Sequence, residues 1–239
     1  MQLFVTDYDG TFYKDIESLK ENIKLLQRLP SNIKIMISTG RSYPSIKNQV
    51  DMYHIPYDYL SCADGSILYD HEGNILTMFQ MDNKIIKPFQ VFYQNLHFEE
   101  IQFVYKEGYS NTINKSGDLL GINVCLANEN YTKDIVDAFL KMKKLYPQYN
   151  FLNYMHPNFS YLCIKPKGIT KASTIHYLVK EIKINKKDIY VIGDSYNDYD
   201  MLKDYSGVCV KDSCDEILAI CEKRYDNVSN YLKEILKED

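Results

Sequence analysis

The chain has no tryptophan, and only seven prolines, ten glycines and five histidines among its 239 residues. So few chain breakers argue against a collagen-like or low-complexity sequence. No apolar run approaches the roughly 18 residues that a membrane-spanning helix needs. The opening stretch, Met1–Asp7, lacks the basic and long apolar regions of a leader. Neither export nor membrane insertion is therefore expected, and a cytoplasmic location is. An excess of positive charge is also missing, since 28 Lys and Arg face 32 Asp and Glu, for a net charge of −4. That balance offers no electrostatic footprint for a nucleic acid or an anionic membrane. Cysteine pairing is absent as a pattern. Cys62, Cys125, Cys163, Cys209, Cys214 and Cys221 form no C-x-x-C pair and have no histidine at zinc-ligand spacing, which fits a reduced compartment.

What is present is a globular composition, 45% apolar and 25% charged. At roughly 150 residues per domain the length suits one enlarged domain or a domain with an insertion. Residues 2–6 form an apolar, β-branched run that stops at Asp7-Tyr8-Asp9-Gly10-Thr11, as a buried strand entering a loop does. Ile16, Leu19, Ile23 and Leu26 then recur at helical spacing, followed by a strand at Ile33–Ser38, a helix at Ser42–Met52 and a strand at Tyr59–Cys62. Alternation of the two periods predicts a parallel sheet covered on both faces.

The pattern changes where Ile67–Asp70 and Asn74–Phe79 flank His71-Glu72-Gly73, a predicted hairpin. From about residue 80 to 160 the spacing predicts helices at Asn83–Leu96 and Lys133–Leu145. Strands are predicted at Ile101–Tyr105, Gly121–Leu126, Phe151–Tyr154 and Tyr161–Ile164, which together make an α+β insert. Alternation resumes with a helix at Lys171–Ile182, a strand at Ile189–Ile192, a short helix after Asn197, a strand at Gly207–Val210 and a helix opened by a Ser213-Cys214-Asp215-Glu216 capping box. The expected division is a core of residues 1–80 and 161–239 with an insert of 81–160.

Ligands of open parallel sheets bind beyond the carboxyl ends of the strands. Four polar clusters fall there: Asp7-Tyr8-Asp9-Gly10-Thr11, Ser38-Thr39-Gly40-Arg41, Lys171, and Gly193-Asp194-Ser195-Tyr196-Asn197-Asp198. Acidic side chains gathered at one edge repel one another and need a cation, and their oxygen-only ligation suits a hard divalent ion such as magnesium. Thr39, Lys171 and backbone N–H groups would meet a phosphate. Phosphoryl transfer is the chemistry this pattern suggests.

Asp7-x-Asp9-x-Thr11, Thr39, Lys171 and Gly193-Asp194-x-x-Asn197-Asp198 resemble, in order and separation, the four motifs of the haloacid dehalogenase-like (HAD) phosphohydrolases. The layout is similar to the Cof-type branch, which implies a doubly wound, Rossmann-like α/β core with an inserted α+β cap. The resemblance implies Asp7 as nucleophile and Asp9 as general acid and base. It implies magnesium held by Asp7, the Asp9 main-chain carbonyl and Asp194, with Asp198 behind them. Thr11 would shape the loop, Thr39 and Gly40 would contact the phosphoryl group, Asn197 with Asp198 would orient the metal shell and the lysine beside the phosphate, and Lys171 would offset negative charge; Arg41 is weighed between a salt bridge within the core and a contact with substrate or cap. The implied substrate is a small phosphorylated metabolite, such as a sugar phosphate, nucleotide or phosphorylated cofactor, and the implied assembly is a monomer or weak homodimer. A phosphomutase, or a non-catalytic binder of phosphorylated ligands, is the alternative; the presence of both Asp7 and Asp9 speaks against the latter. One departure stands out: Asp64, in Ala63-Asp64-Gly65-Ser66, occupies the place where the branch carries Asn. His54, His71, His97 and His176 are expected to be ordinary, and His156, beside Pro157, is weighed as a residue that could face the site.

Overall fold

The protein is described here by a computed structural model covering residues 1–94, 98–114, 117–155 and 159–237. His97, His156 and the last two residues of the helix expected at Asn83–Leu96 lie outside the described residues. The chain divides into two compact units. The first comprises Met1–Arg41, Ser45–Met78 and Thr170–Asp239, and the second Ser42–Pro44 and Phe79–Ile169.

The first unit begins with β1 (Gln2–Asp7), whose Leu3, Phe4 and Val5 are fully buried. Asp15 caps α1 (Ile16–Leu26), accepting a hydrogen bond from the Ser18 backbone N–H. Then follow β2 (Ile33–Ser38), α2 (Tyr43–Tyr53), β3 (Tyr59–Cys62) and the antiparallel hairpin of β4 (Ile67–Asp70) and β5 (Ile75–Met78).

The second unit supplies α3 (Ile86–Tyr93), β6 (Glu100–Tyr105), β7 (Gly108–Ser110), β8 (Leu119–Ala127), α4 (Lys133–Leu145), β9 (Tyr149–Met155) and β10 (Phe159–Pro166). The helix read from Asn83 starts as a 3₁₀ turn and becomes α-helical only at Ile86. Pro88 is tolerated because it sits in the first turn, where its missing N–H has no helical acceptor to lose. The five strands pair antiparallel in the order β7-β6-β8-β10-β9. One face of that sheet packs on the two helices: Phe89 meets Phe103 edge-on with ring centroids 6.1 Å apart, and Phe139 meets Phe151 at 5.2 Å. The boundary expected at residue 161 falls inside β10, which completes this sheet through its register with β8 and β9.

The first unit resumes with α5 (Lys171–Ile182), β11 (Ile189–Gly193), α6 (Tyr199–Asp204), β12 (Val208–Val210), α7 (Asp215–Leu218), β13 (Arg224–Tyr225) and α8 (Val228–Leu236). Its eight strands run β13-β12-β11-β1-β2-β3-β4-β5, with all pairs from β13 to β3 parallel. Helices cover both faces: Leu3 and Val5 pack with Ala172, Ile175 and Leu178 of α5, while Phe4 lies 6.2 Å from the Tyr231 ring of α8. Burial on both faces accounts for the apolar runs Leu3–Val5 of β1 and Ile35–Ile37 of β2. The chain order reverses at β1, with β11 on one side and β2 on the other, so the loops leaving these strands share one edge.

The capping box expected at Ser213 does not form. The Ser213 hydroxyl donates to the Val210 carbonyl at 2.6 Å, Cys214 occupies the cap position, and α7 is a single turn. The main chain explains this, because the Cys214 N–H donates to the Asp194 carbonyl and fixes where the turn can start.

Candidate active site

The site assembles where β1, β2, β3 and β11 end and α5 begins. Beyond β1 the chain folds back tightly, with the Phe12 and Tyr13 N–H groups donating to the Asp7 and Tyr8 carbonyls. Gly10 has a φ of +85°, and a Cβ there would stand 2.7 Å from Asp194 Oδ2, so the turn needs glycine for both conformation and space.

Lys171, the first residue of α5, is 1% exposed. Its ammonium donates to Asp7 Oδ1 at 2.6 Å and to Asp198 Oδ1 at 2.5 Å. Asp198 spends its other oxygen on the N–H groups of Asp194 and Ser195, at 2.9 and 3.0 Å. Both its oxygens are therefore occupied by protein donors, which makes Asp198 an anchor for the loop and for the lysine. Asp194 accepts from the Thr11 hydroxyl at 2.5 Å and from the Ser195 hydroxyl at 2.7 Å. Each of Asp7, Asp194 and Asp198 offers an oxygen within 4.8 Å of the other two.

Burial raises the carboxyl groups of Asp7 and Asp198 above the ordinary carboxylate range, with Lys171 working in the opposite sense and the neighbouring acids adding to the rise. For Lys171, burial works against its charge, but attraction by Asp198, Asp7 and Asp64 prevails and raises it. The short two-fold donation by Lys171 needs acceptors, so the ammonium faces ionised carboxylates. One ammonium cannot neutralise three carboxylates, and the excess negative charge is what a divalent cation would meet. A second observation agrees: Asp7 Oδ2 is buried with no hydrogen-bond partner among the described residues. An orphaned carboxylate oxygen in such a cluster has the donor chemistry of a hard-metal site.

Thr39 is buried at the end of β2, where its Oγ1 accepts from the Arg41 N–H at 3.1 Å. Gly40 lies against Asp64, whose Oδ1 would be 3.0 Å from a Cβ at that position. Asn197 donates through Nδ2 to Asp64 Oδ1 at 2.9 Å. The Thr11 hydroxyl is committed to Asp194. The carboxylate of Asp9 is not part of the acidic cluster among the described residues, and its two oxygens are gripped by Arg41. His54 takes a left-handed backbone beyond α2, exposed His71 lies beside Glu72, and His176 pairs with Asp204 at 3.0 Å, none of them with the acidic cluster.

Two features had little or no signal in the sequence. Ser195 braces Asp194, and nothing in its spacing announces that role. The turn Ala63-Asp64-Gly65 is left-handed at all three residues, with φ of 50°, 52° and 87°. It is stitched to the β2 loop by donation from Ala63 N to the Arg41 carbonyl and from Asp64 N to the Thr39 carbonyl. A Cβ on Gly65 would stand 2.0 Å from the Thr170 carbonyl oxygen, so glycine lets this turn lie directly against the start of α5.

A family model for haloacid dehalogenase-like hydrolases matches residues 4–120 and 93–230. The chain belongs to that family. Among similar sequences, a Buchnera aphidicola protein provisionally named a phosphatase is 23% identical over 261 residues, spanning 98% of this chain and 97% of its own. Among solved structures, the HAD-superfamily phosphatase BT1666 from Bacteroides thetaiotaomicron superposes with a TM-score of 0.80 at 18% identity, covering 99% of this chain and 94% of that one. The subclass IIB sugar phosphatase BT4131 superposes with a TM-score of 0.77 at 16% identity, covering 98% and 99%. At these identities the structures share the fold with this HAD-like hydrolase. No helix among its described residues is long and apolar enough to cross a membrane.

Proposed function

We propose that this HAD-like hydrolase is a magnesium-dependent phosphatase for a small phosphorylated metabolite, and that it works through an aspartyl-phosphate. The observation that carries the reading is the Asp7–Lys171–Asp198 contact beside the orphaned Asp7 Oδ2. Asp7 has one oxygen steadied by an ammonium and the other left for a cation or a phosphorus atom.

In this reading an Asp7 oxygen attacks phosphorus and the bond from phosphorus to the leaving oxygen breaks. Asp9 delivers a proton to that oxygen and later takes one from the water that cleaves the aspartyl-phosphate, releasing inorganic phosphate and restoring Asp7. Magnesium held by Asp7, the Asp9 main-chain carbonyl and Asp194 would offset negative charge on Asp7 and the phosphoryl group. Asp198 keeps Lys171 and the Asp194 loop in place from behind. Thr39 and Gly40 line the phosphoryl position, and Asn197 reaches it through Asp64.

All the residues assigned to phosphoryl transfer lie in the first unit, so the second unit, Phe79–Ile169, is assigned the role of a cap that selects the substrate. A sugar phosphate, a nucleotide or a phosphorylated cofactor fits the assignment, as does action in the cytoplasm as a monomer or weak homodimer.

The test is phosphate release from a panel of phosphorylated metabolites, with magnesium and with excess chelator, for the wild type and for Asp7→Asn. Release that needs magnesium and falls by more than about tenfold in Asp7→Asn supports the reading. Full activity in chelator, or an active Asp7→Asn enzyme, overturns it. Recovery of an isomeric phosphate ester in place of inorganic phosphate would identify a phosphomutase instead.

A further inference from the structure

The Arg41 guanidinium is committed to a neighbouring carboxylate. Its Nε donates to Asp9 Oδ2 at 2.7 Å and its terminal nitrogen donates to Asp9 Oδ1 at 2.6 Å, a two-pronged grip on the carboxylate. Its guanidinium carbon sits 5.2 Å from the centroid of the Tyr8 ring. Tyr8 is fully buried, donates its hydroxyl to Gln49 of α2 at 3.2 Å, and stacks on Tyr13 with centroids 5.8 Å apart and planes 7° off parallel. The Arg41 main chain is held at both ends, by donation from its N–H to Thr39 Oγ1 and by its carbonyl accepting from Ala63 N. Backbone, ring face and fork therefore fix one guanidinium position from three directions.

Stability is a poor explanation for this arrangement. The Arg41 and Asp9 side chains are 30% and 51% exposed, and ion pairs so open to water add little to folding. What a planar fork stacked on an aromatic ring does provide is direction, because it fixes the plane and rotation of the carboxylate it holds.

We infer that Arg41 is a positioning residue that sets the orientation of the Asp9 carboxylate at the edge of the reaction centre. The inference rests on the role given to Asp9 under Proposed function. Both oxygens of Asp9 are engaged in the resting geometry, so one arm of the fork opens, the freed oxygen takes up a proton from water and delivers it to the leaving oxygen, and the remaining arm keeps the carboxyl group aimed. Arg41 thus acts through Asp9, with Tyr8 as its platform, and connects the loops after β1 and β2.

The experiment compares Arg41→Ala, Arg41→Lys, Asp9→Asn and the Arg41→Ala/Asp9→Asn double variant in the full chain. The substrates are an alkyl phosphate, whose leaving oxygen needs a proton, and nitrophenyl phosphate, whose leaving oxygen does not. For Arg41→Ala, kcat on the alkyl phosphate should fall at least about tenfold and on nitrophenyl phosphate less than about threefold, with KM for each within about twofold. Arg41→Lys should behave like Arg41→Ala, since an ammonium supplies no fork, and millimolar guanidinium should restore part of the Arg41→Ala loss. Once Asp9 is Asn, removing Arg41 should cost nothing further on the alkyl phosphate.

A KM rise common to both substrates with kcat preserved would make Arg41 a substrate ligand and overturn the inference. So would additive losses in the double variant, or equal losses on both substrates accompanied by a lower melting temperature. A readout free of turnover separates this inference from the phosphatase reading. In protein labelled with ¹⁵N at arginine, the Arg41 Nε–H should exchange slowly with water in the wild type and quickly in Asp9→Asn. A wild type that hydrolyses no phosphate but keeps this coupling refutes the phosphatase reading alone, whereas an Nε–H indifferent to Asp9→Asn refutes the grip itself.

Discussion

Replacing Lys171 by Met removes an ammonium of comparable volume from among three carboxylates, and the structure sets the size of the effect. Lys171 is 1% exposed, Asp7 4% and Asp198 0%, so solvent screening is small. Deleting one member of a buried ion pair typically costs about 3–5 kcal/mol, because the partner keeps its desolvation penalty without its compensation. In a chain of this size each kcal/mol shifts the melting temperature by about 2–4 °C, so metal-free Lys171→Met should melt about 6–20 °C below the wild type. With 22 tyrosines and no tryptophan, tyrosine fluorescence is the natural signal.

The deficit should depend on pH with a definite sign. Burial raises the folded-state values of Asp7 and Asp198 above the ordinary 3.8, and loss of the lysine raises them further. A group with a raised folded value costs nothing below its unfolded value, where both states are protonated, and destabilises as pH rises through the folded value. The gap between variant and wild type should therefore be widest near neutrality and close as pH falls toward about 4. Magnesium should narrow it at pH 7 by replacing the missing positive charge. Turnover of an aryl phosphate should drop at least about a hundredfold, the scale seen when a charge-stabilising donor is lost. A variant that melts within about 2 °C of the wild type at neutral pH in chelator would show that the cluster is not held by this charge balance.

Three further outcomes follow from the same geometry. Magnesium should raise the melting temperature of the wild type, and Asp194→Ala should abolish that rise; an unchanged rise in the variant would remove Asp194 from the metal site. Asp64→Asn keeps an oxygen acceptor for Asn197 and a residue type at ease in the left-handed region, while removing a negative charge beside Gly40 and near Lys171. KM for an aryl phosphate should accordingly fall by about threefold to tenfold with the fold intact, and an unchanged or higher KM would count against repulsion by Asp64. Gly65→Ala places a Cβ 2.0 Å from the Thr170 carbonyl at a φ of 87°, so it should displace the start of α5 and with it Lys171. Both stability, by about 2 kcal/mol or more, and turnover should suffer; a variant normal in both would show that the turn can move without consequence.

The alternation of strand and helix periods and the acidic loops after β1 and β11 were legible in the sequence because they are local. A buried parallel strand is largely apolar and a helix must repeat its apolar face, so Leu3–Val5 and Ile35–Ile37 declare themselves without reference to any partner. Where the signal is short it fails: β13 has two residues and β7 three, too few to show a period, and both exist only through pairing with β12 and β6. The Ser213 cap failed for a related reason, since a distant main-chain bond from Cys214 to Asp194 outweighed a local pattern.

Within the site, the sequence determined which chemical groups are available, and the tertiary structure decided what each one touches. Lys171 is 164 residues from Asp7, and Arg41 is 32 from Asp9. No spacing rule reports that one acid meets an ammonium out of water while the other is gripped by a guanidinium at the surface. The distinction is physical. The order of residues along the chain fixes the edge at which loops emerge, but the burial and competing donors that orient a carboxylate arise only once those loops are packed together.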